Sequence, residues 1–128
     1  MSNTRRRVLD AGNCNPDHSS IRNMLEENFE VQIDRVMFVA DAVALLREQR
    51  YDLVMVNRLI FDDGSDGGEL IRQMQKDGLG DTPVMMISNF AESQEAAMAD
   101  GAVRGFGKGA IGDPATITLL SEYLARTD

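Results

Sequence analysis

One cysteine and one histidine occur in the 128 residues, and basic residues are outnumbered by acidic ones, 13 to 21. A lone cysteine excludes an internal disulfide and suits a reducing cytosol. The formal charge of −8 makes duplex nucleic acid and anionic membranes poor partners for the chain as a whole, although Arg5-Arg6-Arg7 is a local basic patch. No apolar run approaches the ~20 residues that span a bilayer. The basic amino-terminal residues have no apolar stretch behind them, so a secretion signal is not expected. There is no G-x-G-x-x-G and no P-loop, which argues against a nucleotide-binding enzyme. No Ser/His/Asp set, metal cluster or catalytic carboxylate pair is legible. A cytoplasmic protein that is not an enzyme and needs no cofactor or metal is the expectation.

What is present is ordinary for a globular chain: 43% hydrophobic and 27% charged residues, enough for one domain over residues 1–128. Short apolar runs alternate with amphipathic stretches, the pattern of a parallel sheet with crossover helices. Strands are predicted over Arg6–Gly12, Val31–Phe38, Asp52–Val56, Pro83–Ser88 and Val103–Gly107. The first helix follows Asn15 as N-cap and Pro16 as first residue, with Ile21, Met24, Leu25 and Phe29 on one face. The second covers Ala40–Arg50 and turns Ala42, Val43 and Leu46 inward. Leu70, Ile71 and Met74 mark the third, and Ala91–Asp100 is the fourth. Ile117, Leu120 and Leu124 mark the fifth, behind Asp113 and Pro114. Met55, Met85 and Met86 lie on strands as core residues.

Open sheets of this kind bind ligands outside the carboxyl ends of their strands. Those ends carry Asn13 and Cys14, Asn57, Ser88 and Lys108, which should meet at one edge. In this order and spacing, Tyr51-Asp52-Leu53-Val54-Met55-Val56-Asn57, Pro83 to Ser88, and Gly101-Ala102 followed by Lys108 resemble the receiver domain of two-component response regulators. The likeness runs from about Arg6 to Leu124. It implies a flavodoxin-like (βα)5 three-layer sandwich with a five-stranded parallel sheet in the order 2-1-3-4-5.

The resemblance also implies a site, and here the sequence departs from it. A working receiver holds Mg²⁺ with an acidic pair after the first strand and an aspartate ending the third, and that aspartate accepts a phosphoryl group. Hard anionic oxygens suit Mg²⁺, and phosphoryl transfer depends on positioning and charge neutralisation. In this chain the acceptor position is Asn57, a neutral amide. The acidic pair falls on Asn13 and Cys14, or on Gly12 and Asn13 if the loop is one residue longer; only a still longer loop would bring Asp10 into the site. Ser88 and Lys108 match the family's hydroxyl and lysine. Gly109 replaces the usual proline, and Gly105 the switching aromatic.

Several residues carry two readings. Asn57 either caps the next turn through its amide or imitates one signalling state. Lys108 either swings to solvent or to Asp17, Asp62 or Asp63, or joins Arg58 and Ser88 in a small anion site. Asp62 to Gly67 invites a calcium reading but fails the EF-hand pattern at Gly64 and Gln73. Cys14 precedes a helix, where thiols are activated, yet small cysteines are commonly inert. His18 is expected at the surface, with no second metal ligand. Two functions follow. The first is a non-phosphorylatable pseudo-receiver acting as a protein–protein interaction module in bacterial signal transduction. It would bind a protein partner, or form a homodimer, through the face of the fourth helix, fifth strand and fifth helix, using Glu92, Gln94, Arg104 and Arg126. The second is a sensor of a small anion or metabolite in the relic pocket.

Overall fold

Leu53 to Val56 is an unbroken apolar run, stable as a strand only when both of its faces are covered. In the computed structural model, which describes residues 5–125, this run is the central strand and every residue of it is buried. The elements alternate as β1 (Arg6–Ala11), α1 (Asn15–Asn28), β2 (Val31–Val36), α2 (Val39–Glu48), β3 (Leu53–Asn57), α3 (Gly68–Lys76), β4 (Val84–Ile87), α4 (Ala91–Ala99), β5 (Val103–Phe106) and α5 (Pro114–Leu124). A 3₁₀ turn over Lys108–Ala110 precedes α5. The strands are parallel in the order β2-β1-β3-β4-β5, the expected flavodoxin-like arrangement.

The twofold alternation of side chains divides the core into two layers. Leu9, Ala11, Val54, Val56, Val84 and Met86 face α2, α3 and α4. Val8, Leu53, Met55, Met85 and Ile87 face α1 and α5, which contribute Ile21, Met24, Leu25, Leu120 and Leu124. Each fully buried aliphatic side chain stabilises the fold by about 1.5–3 kcal/mol. At the opposite edge from the carboxyl ends, the basic patch is already engaged. Arg6 reaches Asp52 at 3.6 Å, and Arg7 reaches Asp34 at 3.4 Å while lying 5.3 Å from the Tyr51 ring centre.

Three local expectations are corrected. The N-cap of α1 is Cys14, and Asn15 is already helical; Pro16 accommodates this because helix N-termini leave its missing N–H without consequence. Gln94 is not a surface residue but buried. Its Nε2 donates to Met86 O (2.9 Å) and Ser88 O (3.2 Å), and its Oε1 accepts from Gly105 N at 3.0 Å. This is where β4 and β5 lose register: Met85 pairs with Val103 but Ile87 with Phe106, so β5 carries an extra residue. The amide of Gln94 serves as a substitute peptide group across the bulge. His18, the third correction, belongs to the site. Arg126 lies outside the described residues.

Candidate functional site

At the carboxyl edge, Asn57, Arg58, Leu59, Ile87, Ser88, Asn89, Phe90 and Lys108 line a pocket of roughly 270 Å³. The structure therefore brings together Asn57, Ser88, Lys108 and Arg58. Asn13 and Cys14 do not line it.

Asn57 ends β3 and is buried. Its Nδ2 donates to Leu59 O at 2.6 Å and to Gly12 O at 3.3 Å. Both partners are carbonyls, so the position calls for a donor, and a carboxylate has none when ionised. Gly12 is the first-loop residue that touches Asn57. It sits at φ +80°, and a Cβ there would run into the Ile60 side chain, so an acidic side chain at that point is strained.

Asn13 is fully buried, and its Nδ2 donates to Asp10 Oδ1 at 2.5 Å. The other Asp10 oxygen meets His18 Nδ1 at 2.5 Å. Asp10 is completely buried and the His18 side chain only 14% exposed. His18 is thus not a surface residue: a buried carboxylate needs a partner, and His18 reaches it from the first turn of α1. This pairing also answers the longer-loop alternative, because Asp10 stays in β1 with both oxygens engaged.

Cys14 Sγ donates to Asp17 Oδ2 at 3.2 Å, and the same oxygen lies 2.7 Å from Lys108 Nζ. Burial pushes the Asp17 carboxyl up, but hydrogen bonds from Lys108 and Cys14 and the lysine charge outweigh it, leaving the group below the usual carboxylate range. Lys108 is therefore committed to an acid on α1. Arg58 differs: its guanidinium lies 5.0 Å from the Phe90 ring centre, and among the described residues no carboxylate is within ion-pair distance of it. Ser88 Oγ accepts from Phe90 N at 3.1 Å. Asn89 Oδ1 accepts from Gly109 N at 3.1 Å, tying the lysine turn to the β4–α4 loop.

The residues present do not fit the divalent ion that the resemblance implies for a working receiver. The oxygens that accept from the Asn57 amide are carbonyls, and the residues lining the pocket carry no carboxylate. Asn13 Oδ1 is a buried acceptor without a partner, yet the Arg35 guanidinium donates to Asn13 O at 2.8 Å and would repel a second cation. Among the described residues no group of three or more His, Cys, Asp or Glu side chains could hold a metal.

Sequence reasoning missed the Asp10–His18 pair, Asn89 and the anchoring role of Gln94. A signal existed for the first: an acid inside an apolar strand needs a counter-group, and the chain has one histidine, eight residues on. None existed for Gln94, because the alanines around it mark no inward face.

The likeness to solved structures is extensive in shape and low in sequence. A putative response regulator from Chloroflexus aurantiacus J-10-fl superposes with a TM-score of 0.82 at 16% identity, over 96% of this chain and 100% of that one. The receiver domain of Francisella response regulator 1452 gives 0.75 at 20% identity, over 92% and 98%. NtrX from Brucella abortus gives 0.75 at 20% identity, over 93% of this chain but only 26% of its own length. These identities establish the fold and no more. No family model matches the sequence, and no curated protein matches it. Among the described residues, no helix is long and apolar enough to cross a membrane.

Proposed function

We propose that the chain is a pseudo-receiver: a non-catalytic, cytoplasmic interaction module of bacterial signal transduction whose partner binding ignores phosphodonors. The observation that carries this reading is the Asn57 amide donating to Leu59 O and Gly12 O, in a pocket whose neighbours supply no carboxylate. Support for a single constitutive conformation comes from Gln94, which joins α4 to both β4 and β5, and from Arg72, which bonds Asp66 at 2.9 Å and Asp100 at 3.0 Å. With no ligand of differential affinity, nothing biases two states. Partner choice falls to the α4–β5–α5 face, where Glu92 and Arg104 are exposed and the buried Gln94 takes no part.

The test is incubation with acetyl phosphate and Mg²⁺, read by intact mass and by affinity for a captured partner. The expected result is no covalent phosphate and an unchanged affinity. A stable phosphoryl adduct, or a partner released or recruited by the donor, overturns the reading. A small-anion sensor has less support, since Lys108 is held by Asp17 and Arg58 alone remains.

A further inference from the structure

Lys108 borders two cavities. It lines the pocket beside Asn57, and it also lines a groove of roughly 480 Å³ together with Asp17 and other residues of α1. Its ammonium is bonded to Asp17 Oδ2, 2.7 Å away, and Asp17 lines the groove but not the pocket.

Apart from that contact, the pocket has the makings of an oxyanion site. None of its lining residues carries a carboxylate, and Arg58 is one of them. The acid on which the Arg58 charge acts, Asp66, is bonded to Arg72 at 2.9 Å instead. Ser88 is buried; its Oγ accepts from Phe90 N, and among the described residues nothing accepts from its hydroxyl. Asn89 turns its Oδ1 to Gly109 N at 3.1 Å, and its Nδ2 has no acceptor among the described residues. Two cations and two neutral donors around a cavity free of acids suit a phosphate or sulfate.

Of these four groups, only the lysine is already bonded to an acid, and that bond is well supported. Asp17 stands in the first turn of α1, where a helix N-terminus favours negative charge. Cys14 Sγ donates to the same Asp17 oxygen at 3.2 Å. The bond from Gly109 N to Asn89 fixes the backbone of the lysine turn, so only the Lys108 side chain has to swing for the ammonium to enter the pocket.

We propose that Asp17 is an internal stopper: by holding Lys108, it closes a latent oxyanion site bordered by Arg58, Ser88 and Asn89. Such a stopper rests on the pseudo-receiver reading and supplies the regulation of its pocket. The chain carries the anion that competes for its own lysine, so the pocket ignores free phosphate because of α1 and not for want of donors. Neutralising Asp17 removes both the competitor for Lys108 and a charge that repels the incoming anion.

Titration with inorganic phosphate against chloride of equal ionic strength, followed by backbone amide shifts at neutral pH, tests this. In the wild-type chain the amides of Ser88, Asn89 and Lys108 should show no saturating shift at millimolar phosphate. Asp17→Asn should bind phosphate at those amides, with affinity raised about fivefold or more. Asp17→Ser gives the same gain should the asparagine variant fail to fold, and adding Lys108→Ala to either variant should abolish it. Equal binding by wild type and Asp17→Asn, no binding by either Asp17 variant, or a gain that survives Lys108→Ala overturns the proposal. Acetyl phosphate on the wild-type chain reads the pseudo-receiver separately. A chain that takes no phosphoryl group yet binds phosphate with Asp17 in place removes the stopper and leaves that reading standing, whereas a covalent adduct removes the reading itself.

Discussion

At position 57 an amide and a carboxylate differ in donors rather than in size. Asn57→Asp would turn two hydrogen bonds into two oxygen–oxygen contacts in a buried place. We expect a loss of about 2–3 kcal/mol, measured by urea unfolding at neutral pH, and no labelling by acetyl phosphate; a variant as stable as the parent would contradict the assignment of donors. Asp17 gives a pH test. Its folded carboxyl is below the ordinary range, where burial is outweighed by Lys108 and Cys14, so its stabilisation is present above about pH 4 and is lost as pH falls through the folded value. Asp17→Asn should remove it. Because the pair is partly exposed, its worth is about 1 kcal/mol or less. Unfolding midpoints of the two proteins should converge toward pH 2; an equal gap at pH 7 and pH 2 would show that the pair is not responsible. What a sequence could tell of these residues was their identity, not their direction. Asn57, Ser88 and Lys108 were placed by strand ends, whereas the turn of Lys108 toward α1 depends on Asp17, a contact set by how α1 packs.

Among the elements, α4 was legible in its bounds, Ala91–Asp100 expected and Ala91–Ala99 observed, but not in its buried face. Its two buried residues are Gln94 and Ala97, so the apolar periodicity that located α1, α2 and α3 was missing there. The strands were legible because β3 and β4 are continuous apolar runs, and the helices Pro16 and Pro114 begin were marked by proline. The bulge in β5 was not legible, since it arises from Gly105 approaching β4: a Cβ at Gly105 would collide with the Met86 carbonyl. Gln94→Ala would leave Gly105 N, Met86 O and Ser88 O short of a partner. The expected cost is about 3 kcal/mol, with faster hydrogen exchange at Gly105 and through α4. Gln94→Glu keeps the acceptor for Gly105 N but loses both donors, so it should not restore stability. A cost under about 1 kcal/mol with unchanged exchange would mean that the bulge is held by something else.

For the whole molecule, the chain's fold and its candidate site obey different rules. The architecture followed from a pattern spread over many residues, and replacing any one of them would have left it readable. The candidate site rests on a handful of side chains at one edge, so the same reading named residues there but not their contacts. Net charge, like the fold, is a collective property. Thirteen basic residues against 21 acidic ones leave a charge of −8 even if every cation finds an acid. Exposed ion pairs such as Arg22–Glu26 and Arg72–Glu69 are worth at most about 1 kcal/mol each. The unpaired excess repels itself over distances that salt shortens to roughly 10 Å at 0.1 M. Repulsion among the surplus acids should therefore outweigh the pairs, and thermal midpoints at pH 7 should rise as salt is raised from about 0.01 M to about 0.1 M. A falling midpoint would mean that the exposed pairs contribute more than their geometry allows, and that the acidic surplus is already spread too thinly to matter.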